Sequence, residues 1–223
     1  MTPPLSAGCV IAVLGAESTG KTALARALAN RLRQRGIAAT LVPEFLREWC
    51  EREGRTPRPD EQVGIAAEQG RRIAQAARHG VAVADTTALM TAVYSDLLFD
   101  DASLYADALA AQSGYALTLL TALDLAWVAD GLQRDGPHVR EPVDALVRGA
   151  LRRGGISYAV VHGRGDERLA NAWRALNLAA MAEAPASLQP ADDAKDGWRW
   201  SCEKCSDPAC EHRLFSDLLA QRG

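Results

Sequence analysis

Apolar and polar positions alternate in blocks over residues 9–180. Short, continuous apolar runs are typical of strands that are buried on both faces of a sheet. Between them lie longer stretches in which apolar residues recur every three or four positions, as in helices that bury one face. This alternation predicts a parallel sheet covered by helices on both sides. The five predicted strands are residues 9–14, 38–42, 81–84, 116–120 and 158–161.

Glycines and a change of composition indicate where elements and domains end. Residues 21–35 form an Ala/Leu-rich helical pattern with Gly36 just past its end, and residues 60–79 form a second one that Gly80 terminates. Residues 182–197 consist mainly of Ala, Pro, Ser, Asp and Gly, a composition typical of a linker. The sequence therefore predicts one α/β domain over residues 1–181, a linker over 182–197 and a tail over 198–223.

A glycine-rich segment directly follows the first predicted strand. Residues 15–22, GAESTGKT, match the P-loop pattern G-x-x-x-x-G-K-[ST]. Glycine permits the backbone turns that point N–H groups at phosphates, and the following helix adds its positive N-terminal end. We expect Lys21 to reach the β- and γ-phosphates of ATP and the Thr22 hydroxyl to coordinate Mg²⁺. The predicted ATP-binding residues are Gly15, Ala16, Glu17, Ser18, Thr19, Gly20, Lys21 and Thr22.

Polar residues follow three of the predicted strands at the edge where parallel sheets bind ligands. Glu44 follows the second strand, Asp85 follows the third, and the polar, glycine-punctuated segment 124–136 follows the fourth. Phosphoryl transfer requires a carboxylate that orients the accepting hydroxyl and takes its proton. Glu44 and Asp85 are the candidates for this role, and Asp85 could also organise the Mg²⁺ shell.

Two arginines in or just after segment 124–136 suit a lid. Arg134 and Arg140 could close over the phosphates and exclude water. The alternative is that both are ordinary surface charges. Likewise, Glu44, Arg47 and Glu48 could be the solvated first turn of a helix instead of a substrate site.

Four motifs together resemble the ribosylnicotinamide kinase domain of the NadR family over about residues 9–180. They are GAESTGKT at 15–22, PEFLRE at 43–48, DTT at 85–87 and WVADGL at 127–132. The resemblance implies a P-loop kinase-like three-layer sandwich with a five-stranded parallel sheet. It also implies transfer of the γ-phosphate of ATP to the 5'-hydroxyl of nicotinamide riboside, which forms nicotinamide mononucleotide for NAD salvage.

The resemblance also assigns roles to individual residues. It implies that Lys21, Glu44 and Asp85 are catalytic, and the position of Arg134 in the predicted lid adds it as a fourth catalytic candidate. The implied substrate-binding residues are Glu44, Arg47, Asp85 and Trp127, and the implied Mg²⁺ ligands are Thr22 and Asp85. Two positions depart from the family pattern. Thr87 stands where the family commonly has a second acid, and Gln133 stands where it commonly has an arginine.

The tail carries a separate pattern of metal ligands. Cys202, Cys205, Cys210 and His212 form C-x₂-C-x₄-C-x-H, which predicts a four-ligand zinc site in a small C-terminal knob. Asp207-Pro208 supplies turn chemistry for so compact a site. A redox dithiol or unligated thiols are the alternatives.

Composition limits the cellular location and the classes of binding partner that we expect. The formal net charge of −3 shows no basic footprint, which disfavours nucleic-acid substrates. No apolar stretch approaches transmembrane length, and the P-loop begins too early to leave room for a signal peptide, so we expect a cytoplasmic protein.

Two hypotheses about function follow from the sequence. The first is a small-molecule kinase acting on a nucleoside. The second is a nucleotide-switched ATPase or binding module whose zinc tail engages a protein partner.

Overall fold

Five parallel strands form one sheet with helices on both faces in the computed structural model, which describes residues 5–128 and 137–182. The chain divides into two units, residues 1–184 and 185–223, and only the first contains described residues. The strands are β1 (Val10–Leu14), β2 (Ala39–Val42), β3 (Val81–Asp85), β4 (Leu117–Thr121) and β5 (Ala159–Val161). The helices are α1 (Lys21–Gln34), α2 (Phe45–Glu53), α3 (Gln62–Ala77), α4 (Ala88–Phe99), α5 (Tyr105–Ser113), α6 (Arg140–Arg153) and α7 (Gly165–Ala182).

The strand order is β2-β3-β1-β4-β5, so β1 lies at the centre of the sheet. Val13 of β1 is in register with Asp85 of β3 on one side and with Leu119 of β4 on the other. The carboxyl ends of these strands therefore meet at one edge. The predicted five-stranded parallel sheet is confirmed, although four strands begin one residue later than predicted. Asp85 is the last residue of β3 instead of the first residue after it.

The core has two main layers because β1 is apolar on both faces. Ile11 and Val13 pack with Leu28 of α1 and Leu176 of α7 on one side of the sheet. Leu14 belongs to the cluster on the other side, which contains residues from α4, α5 and α6. Burial of apolar side chains on both faces is the main stabilising contribution to a sheet of this kind. The result is the three-layer sandwich that the pattern of residues predicted.

Helices α2 and α3 make a smaller apolar cluster beside the carboxyl edge. It consists of Phe45, Trp49, Cys50 and Ile65. The predicted helix over 60–79 is a three-ten turn at Pro59–Glu61 followed by α3. Pro59 favours such a start because its fixed φ angle fits a first helical turn and it lacks the N–H that would have no partner there. This cluster holds α2, which begins directly after β2, against α3.

Several predicted features lie outside the described residues. They are the linker, the zinc ligands Cys202, Cys205, Cys210 and His212, and Arg134 and Gln133. Within residues 5–128 and 137–182, no group of three or more His, Cys, Asp or Glu side chains could hold a metal ion. In the same part of the chain, no helix combines the length and apolarity that crossing a membrane requires.

Candidate active site

The P-loop runs between β1 and α1 in a conformation that depends on unusual backbone angles. Gly15, Ser18 and Gly20 all have positive φ angles, of 145°, 55° and 77°. A Cβ atom at Gly15 would lie 2.1 Å from the Oγ1 atom of Thr121, so only glycine fits beside the end of β4. Gly20 is the N-cap of α1, and the first turn of α1 contains no acidic residue. No acidic side chain of α1 itself therefore offsets the positive end of the helix, which suits a phosphate.

Buried threonines hold the loop against the sheet. The Thr19 hydroxyl donates to the Ala16 carbonyl at 2.7 Å and lies 2.7 Å from the Thr121 hydroxyl. Thr121 in turn donates to the Leu14 carbonyl at 3.0 Å. These bonds satisfy polar groups that would otherwise be buried without partners. Lys21 Nζ donates to the Ala16 carbonyl at 2.8 Å, so the lysine ammonium lies over the loop.

Asp85 is only 2% exposed and lies beside the start of α1. Burial raises the pKa of this carboxyl, while a hydrogen bond from Thr22 and the charges of Lys21 and Arg47 oppose that rise. The structure therefore brings together four of the predicted site residues, Asp85, Thr22, Lys21 and Arg47. The Asp85 Oδ1 atom is buried and has no hydrogen-bond partner among the described residues. A carboxylate and a hydroxyl oxygen with spare acceptor capacity fit Mg²⁺, which prefers oxygen ligands.

Glu44 and Arg47 lie on the first turn of α2. Glu44 is the N-cap residue of α2, and its Oε2 atom is 3.9 Å from Arg47 Nε. Glu44 is half-buried, so it is not the fully solvated helix start that the alternative described. The charge of Arg47 also acts on Asp85. Arg47 therefore connects the two predicted carboxylates electrostatically.

Gln69 of α3 joins the backbones next to these two acids, and sequence reasoning assigned it no role. It is 3% exposed, accepts a hydrogen bond from the Phe45 N–H at 2.8 Å and donates to the Thr86 carbonyl at 3.2 Å. Thr86 has a φ angle of 67°, an uncommon backbone conformation for a threonine. The available signal was a polar residue on the apolar face of α3, between Ile65 and Ile73.

Thr87, the departure from the family pattern, has a structural role. Its hydroxyl caps α4 by accepting from the Leu89 N–H at 3.3 Å, and it donates to Gln112 Oε1 at 2.7 Å. Gln112 Nε2 donates in turn to the Thr118 hydroxyl at 2.9 Å. A side-chain cap of this kind contributes about 1 kcal/mol to helix stability. The Thr87 hydroxyl thus belongs to a buried network between α4, α5 and β4.

The segment after β4 lies over the P-loop. The Ser18 hydroxyl donates to the Val128 carbonyl at 2.7 Å, and the Val128 N–H donates to the Ser18 hydroxyl oxygen at 3.4 Å. The side chain of Leu125 reaches to 3.0 Å from the position that a Cβ atom on Gly20 would occupy. Trp127 is half-buried, and its Nε1 atom is buried with no hydrogen-bond partner in the described part of the chain. These contacts place Trp127 near the P-loop, as the lid hypothesis requires.

Arg140 is the first residue of α6 and is only 8% exposed. The alternative that it is an ordinary surface charge is therefore wrong. Its Nε and Nη2 atoms are buried and have no hydrogen-bond partner in residues 5–128 and 137–182. One turn further along α6, Val143 packs in the same cluster as Leu14 and Ala16 at the P-loop. Because a buried charge without a partner is costly, this buried guanidinium fits an anionic ligand.

Arg168 of α7 makes the densest set of hydrogen bonds at this edge. It is 4% exposed. Its Nη1 atom donates to Asp124 Oδ1 at 2.9 Å and to the Gly163 carbonyl at 2.6 Å. Its Nη2 atom donates to the carbonyls of Thr19 at 2.9 Å and Ala122 at 3.2 Å. Sequence reasoning missed this residue because no local pattern relates positions that are 149 residues apart.

The geometry defines the class of protein. A parallel sheet with its phosphate-binding loop after the central strand, and a Thr–Asp pair beside that loop, is the arrangement of a P-loop nucleotide-binding protein. The chain belongs to the AAA domain family, whose model matches residues 10–168. No curated protein sequence matches it.

Solved structures with similar folds include two of NadR protein. One is NadR protein in complex with NR, with 23% sequence identity and a TM-score of 0.66 over 78% of this chain and 52% of the NadR chain. The other is NadR protein in complex with NAD and AMP-PNP, with 21% identity and a TM-score of 0.62 over 78% and 50%. This chain therefore spans about half the length of these NadR chains. The similarity confirms the P-loop kinase-like fold.

Proposed function

We propose that the protein is an ATP-dependent kinase that transfers the γ-phosphate to the 5'-hydroxyl of nicotinamide riboside. The observation that carries this proposal is the buried carboxylate of Asp85 beside Lys21 and Thr22, at the end of the strand next to the P-loop. A phosphate-binding loop alone would suit any nucleotide-binding protein. A buried carboxylate with an unused oxygen next to that loop suits an enzyme that must orient an attacking hydroxyl.

Each residue of the site has a separate role in the proposed phosphoryl transfer. The P-loop amides and Lys21 hold the triphosphate and offset the negative charge that spreads over the transferred group. Thr22 and Asp85 would hold Mg²⁺, which neutralises phosphate charge when it is bound. Either Asp85 or Glu44 accepts the proton of the attacking hydroxyl. Arg47 lies 3.9 Å from the Glu44 carboxylate and its charge acts on Asp85, so it partly offsets the negative charge of both acids.

Arg140 supplies a second positive charge on the phosphate side. Its buried guanidinium has two nitrogens without partners in the described part of the chain, and Val143 of α6 belongs to the same apolar cluster as Leu14 and Ala16. We infer that a phosphate of the bound nucleotide accepts hydrogen bonds from these nitrogens. An arginine in this place stabilises charge in the transition state and excludes water. The same role for Arg134 is proposed from its position in segment 124–136.

The choice of nicotinamide riboside as acceptor rests on two lines of support. The four sequence motifs resemble the ribosylnicotinamide kinase domain of the NadR family, and one of the similar structures is described as NadR with NR. In addition, Trp127 lies near the P-loop, where its indole could stack on the positively charged pyridinium ring. Nearby carboxylates at Glu44 and Asp85 would favour that cation over a neutral nucleoside.

A coupled assay of ADP release tests the acceptor. We expect ATP turnover to rise at least about tenfold above the acceptor-free rate when nicotinamide riboside is added, with nicotinamide mononucleotide as the product. Adenosine and uridine serve as uncharged comparison nucleosides and should give little stimulation. If another nucleoside stimulates instead, the kinase proposal holds and the acceptor is wrong. If no acceptor stimulates, the nucleotide-switched module with a protein partner becomes the better explanation.

We also propose that the tail binds zinc through Cys202, Cys205, Cys210 and His212, on the spacing of these residues alone. Elemental analysis of protein purified without chelator should find about one zinc per chain. The matched control is the Cys202→Ser, Cys205→Ser double variant, which should lose the metal and keep its ATP turnover. Absence of zinc from the unmodified protein, before and after incubation with zinc, would contradict the proposal.

A further inference from the structure

We propose that Arg168 is a positioning residue that fixes the P-loop in its phosphate-binding conformation and thereby sets the affinity for the triphosphate. The proposal rests on the proposed function only in assuming that the P-loop binds a nucleoside triphosphate. It does not depend on which acceptor is phosphorylated. Arg168 lies outside the P-loop in sequence, and no role in phosphoryl transfer is assigned to it above.

The guanidinium of Arg168 joins several segments of the chain. Its four hydrogen-bond acceptors are Thr19 in the P-loop, Ala122 and Asp124 after β4, and Gly163 after β5. The Asp124 carboxylate also accepts from the Gly163 N–H at 2.7 Å, so the loop after β5 is held twice. The planar guanidinium has five donors in a fixed arrangement, which no other side chain can reproduce. Arg168 therefore fixes three chain segments relative to one another.

Arg168 also fixes the direction of a single peptide group in the P-loop, the one between Thr19 and Gly20. Arg168 holds the carbonyl of Thr19, and the peptide bond to Gly20 is planar and trans. Fixing the carbonyl on one side therefore points the Gly20 N–H to the opposite side. Gly20 has a φ angle of 77°, which glycine adopts readily, so its own backbone does little to restrict this peptide group. Arg168 supplies a restraint on a phosphate-binding N–H that the glycine lacks.

The position of Arg168 along the sheet distinguishes a role in triphosphate binding from a general contribution to stability. In the strand order β2-β3-β1-β4-β5, the acceptor-side acid Glu44 follows β2 and Asp85 ends β3, on one side of the P-loop. The contacts of Arg168 lie after β4 and β5, on the other side. A change at Arg168 should therefore affect binding of the triphosphate and leave binding of the acceptor unchanged. A purely structural role predicts no such difference.

Calorimetric titration with ATP tests the proposal directly, because it needs no acceptor. The Arg168→Lys variant retains the charge but loses the fork of donors. We expect its Kd for ATP to rise about tenfold to a hundredfold, as for the loss of one or two hydrogen bonds made by a charged group. In the coupled assay, the KM for the acceptor should stay within about twofold, since the acceptor side is untouched. Arg174→Lys, at an exposed position of α7, is the matched control and should behave like the unmodified protein.

A second variant covers the case in which Arg168→Lys does not fold. Asp124→Asn keeps Arg168 and removes the charge of one of its partners, so its Kd for ATP should rise by about threefold to tenfold. A lower melting temperature with an unchanged Kd for ATP would overturn the proposal and leave Arg168 as a structural residue. Equal rises in the ATP Kd and the acceptor KM would also overturn it. Failure of the acceptor assay alone would count against the proposed function and not against this role of Arg168.

Discussion

The Lys21→Ala variant should lose about a hundredfold to a thousandfold in ATP turnover, the usual effect of removing a group that stabilises transition-state charge. Lys21 Nζ lies over the P-loop through its hydrogen bond to Ala16, where it can contact the phosphates. The lysine is absent from the apolar core clusters, so the fold should persist. Turnover under saturating ATP and acceptor, together with the melting temperature, measures both expectations.

Arg35→Ala is the matched control for this experiment. It removes the same charge from the exposed residue just past the end of α1. Its turnover should remain within about twofold of the unmodified protein, because surface charges far from reacting groups are largely screened. Full turnover by a folded Lys21→Ala protein would show that ATP is hydrolysed or transferred elsewhere.

The Asp85→Asn variant should lose about two to four powers of ten in turnover, which is the range for removing general acid-base help. Its affinity for ATP should fall much less, because the P-loop amides and Lys21 remain in place. The matched control is Asp107→Asn on the exposed side of α5. A parallel Glu44→Gln variant indicates which acid is the base, since the larger loss in the maximal rate belongs to the residue that takes the proton.

Asp85→Asn should also raise the melting temperature of the ligand-free protein at neutral pH. Burial raises the pKa of Asp85 in the folded state above its ordinary value of 3.8. A carboxyl with a raised pKa opposes folding when it is ionised, so the penalty is present at neutral pH and absent at pH values below 3.8. The gain in melting temperature should therefore shrink as the pH falls towards that value. A lower melting temperature at neutral pH would show that Asp85 stabilises the fold.

The sheet and the phosphate loop were predictable because their signals are local. An apolar run followed by a glycine-rich loop needs no knowledge of distant residues, and the rule for strand ends located Glu44 and Asp85. Strand boundaries shifted by one residue because a strand is defined by its partners, whereas the apolar run is defined by burial. The predicted helix over 60–79 was two residues too long at each end, because residues 60–61 belong to the three-ten turn at Pro59–Glu61 and α3 ends at Ala77.

The connections between these elements were not predictable. Gln69 looks like one polar residue among alanines, yet it joins the backbones at Phe45 and Thr86. Arg140 resembles any charged residue at a helix start, and only its burial distinguishes it from a surface charge. Such roles arise from side chains that meet after folding, which the spacing along the chain does not encode. The hypotheses for Arg134 and the zinc ligands concern residues outside the described part of the chain.

The contact between Gly15 and Thr121 means that the eight-residue P-loop cannot be transferred to another protein without its neighbouring strand. The Thr121 side chain of β4 fills the space that Gly15 leaves open. The Thr19 hydroxyl forms a hydrogen bond with the Thr121 hydroxyl, although the two residues are 102 positions apart. A protein engineer who grafted residues 15–22 onto another sheet would transfer the glycines without the threonine that supports them. In this protein the end of β4, which carries Thr121, is therefore as much a part of the phosphate-binding motif as the loop itself.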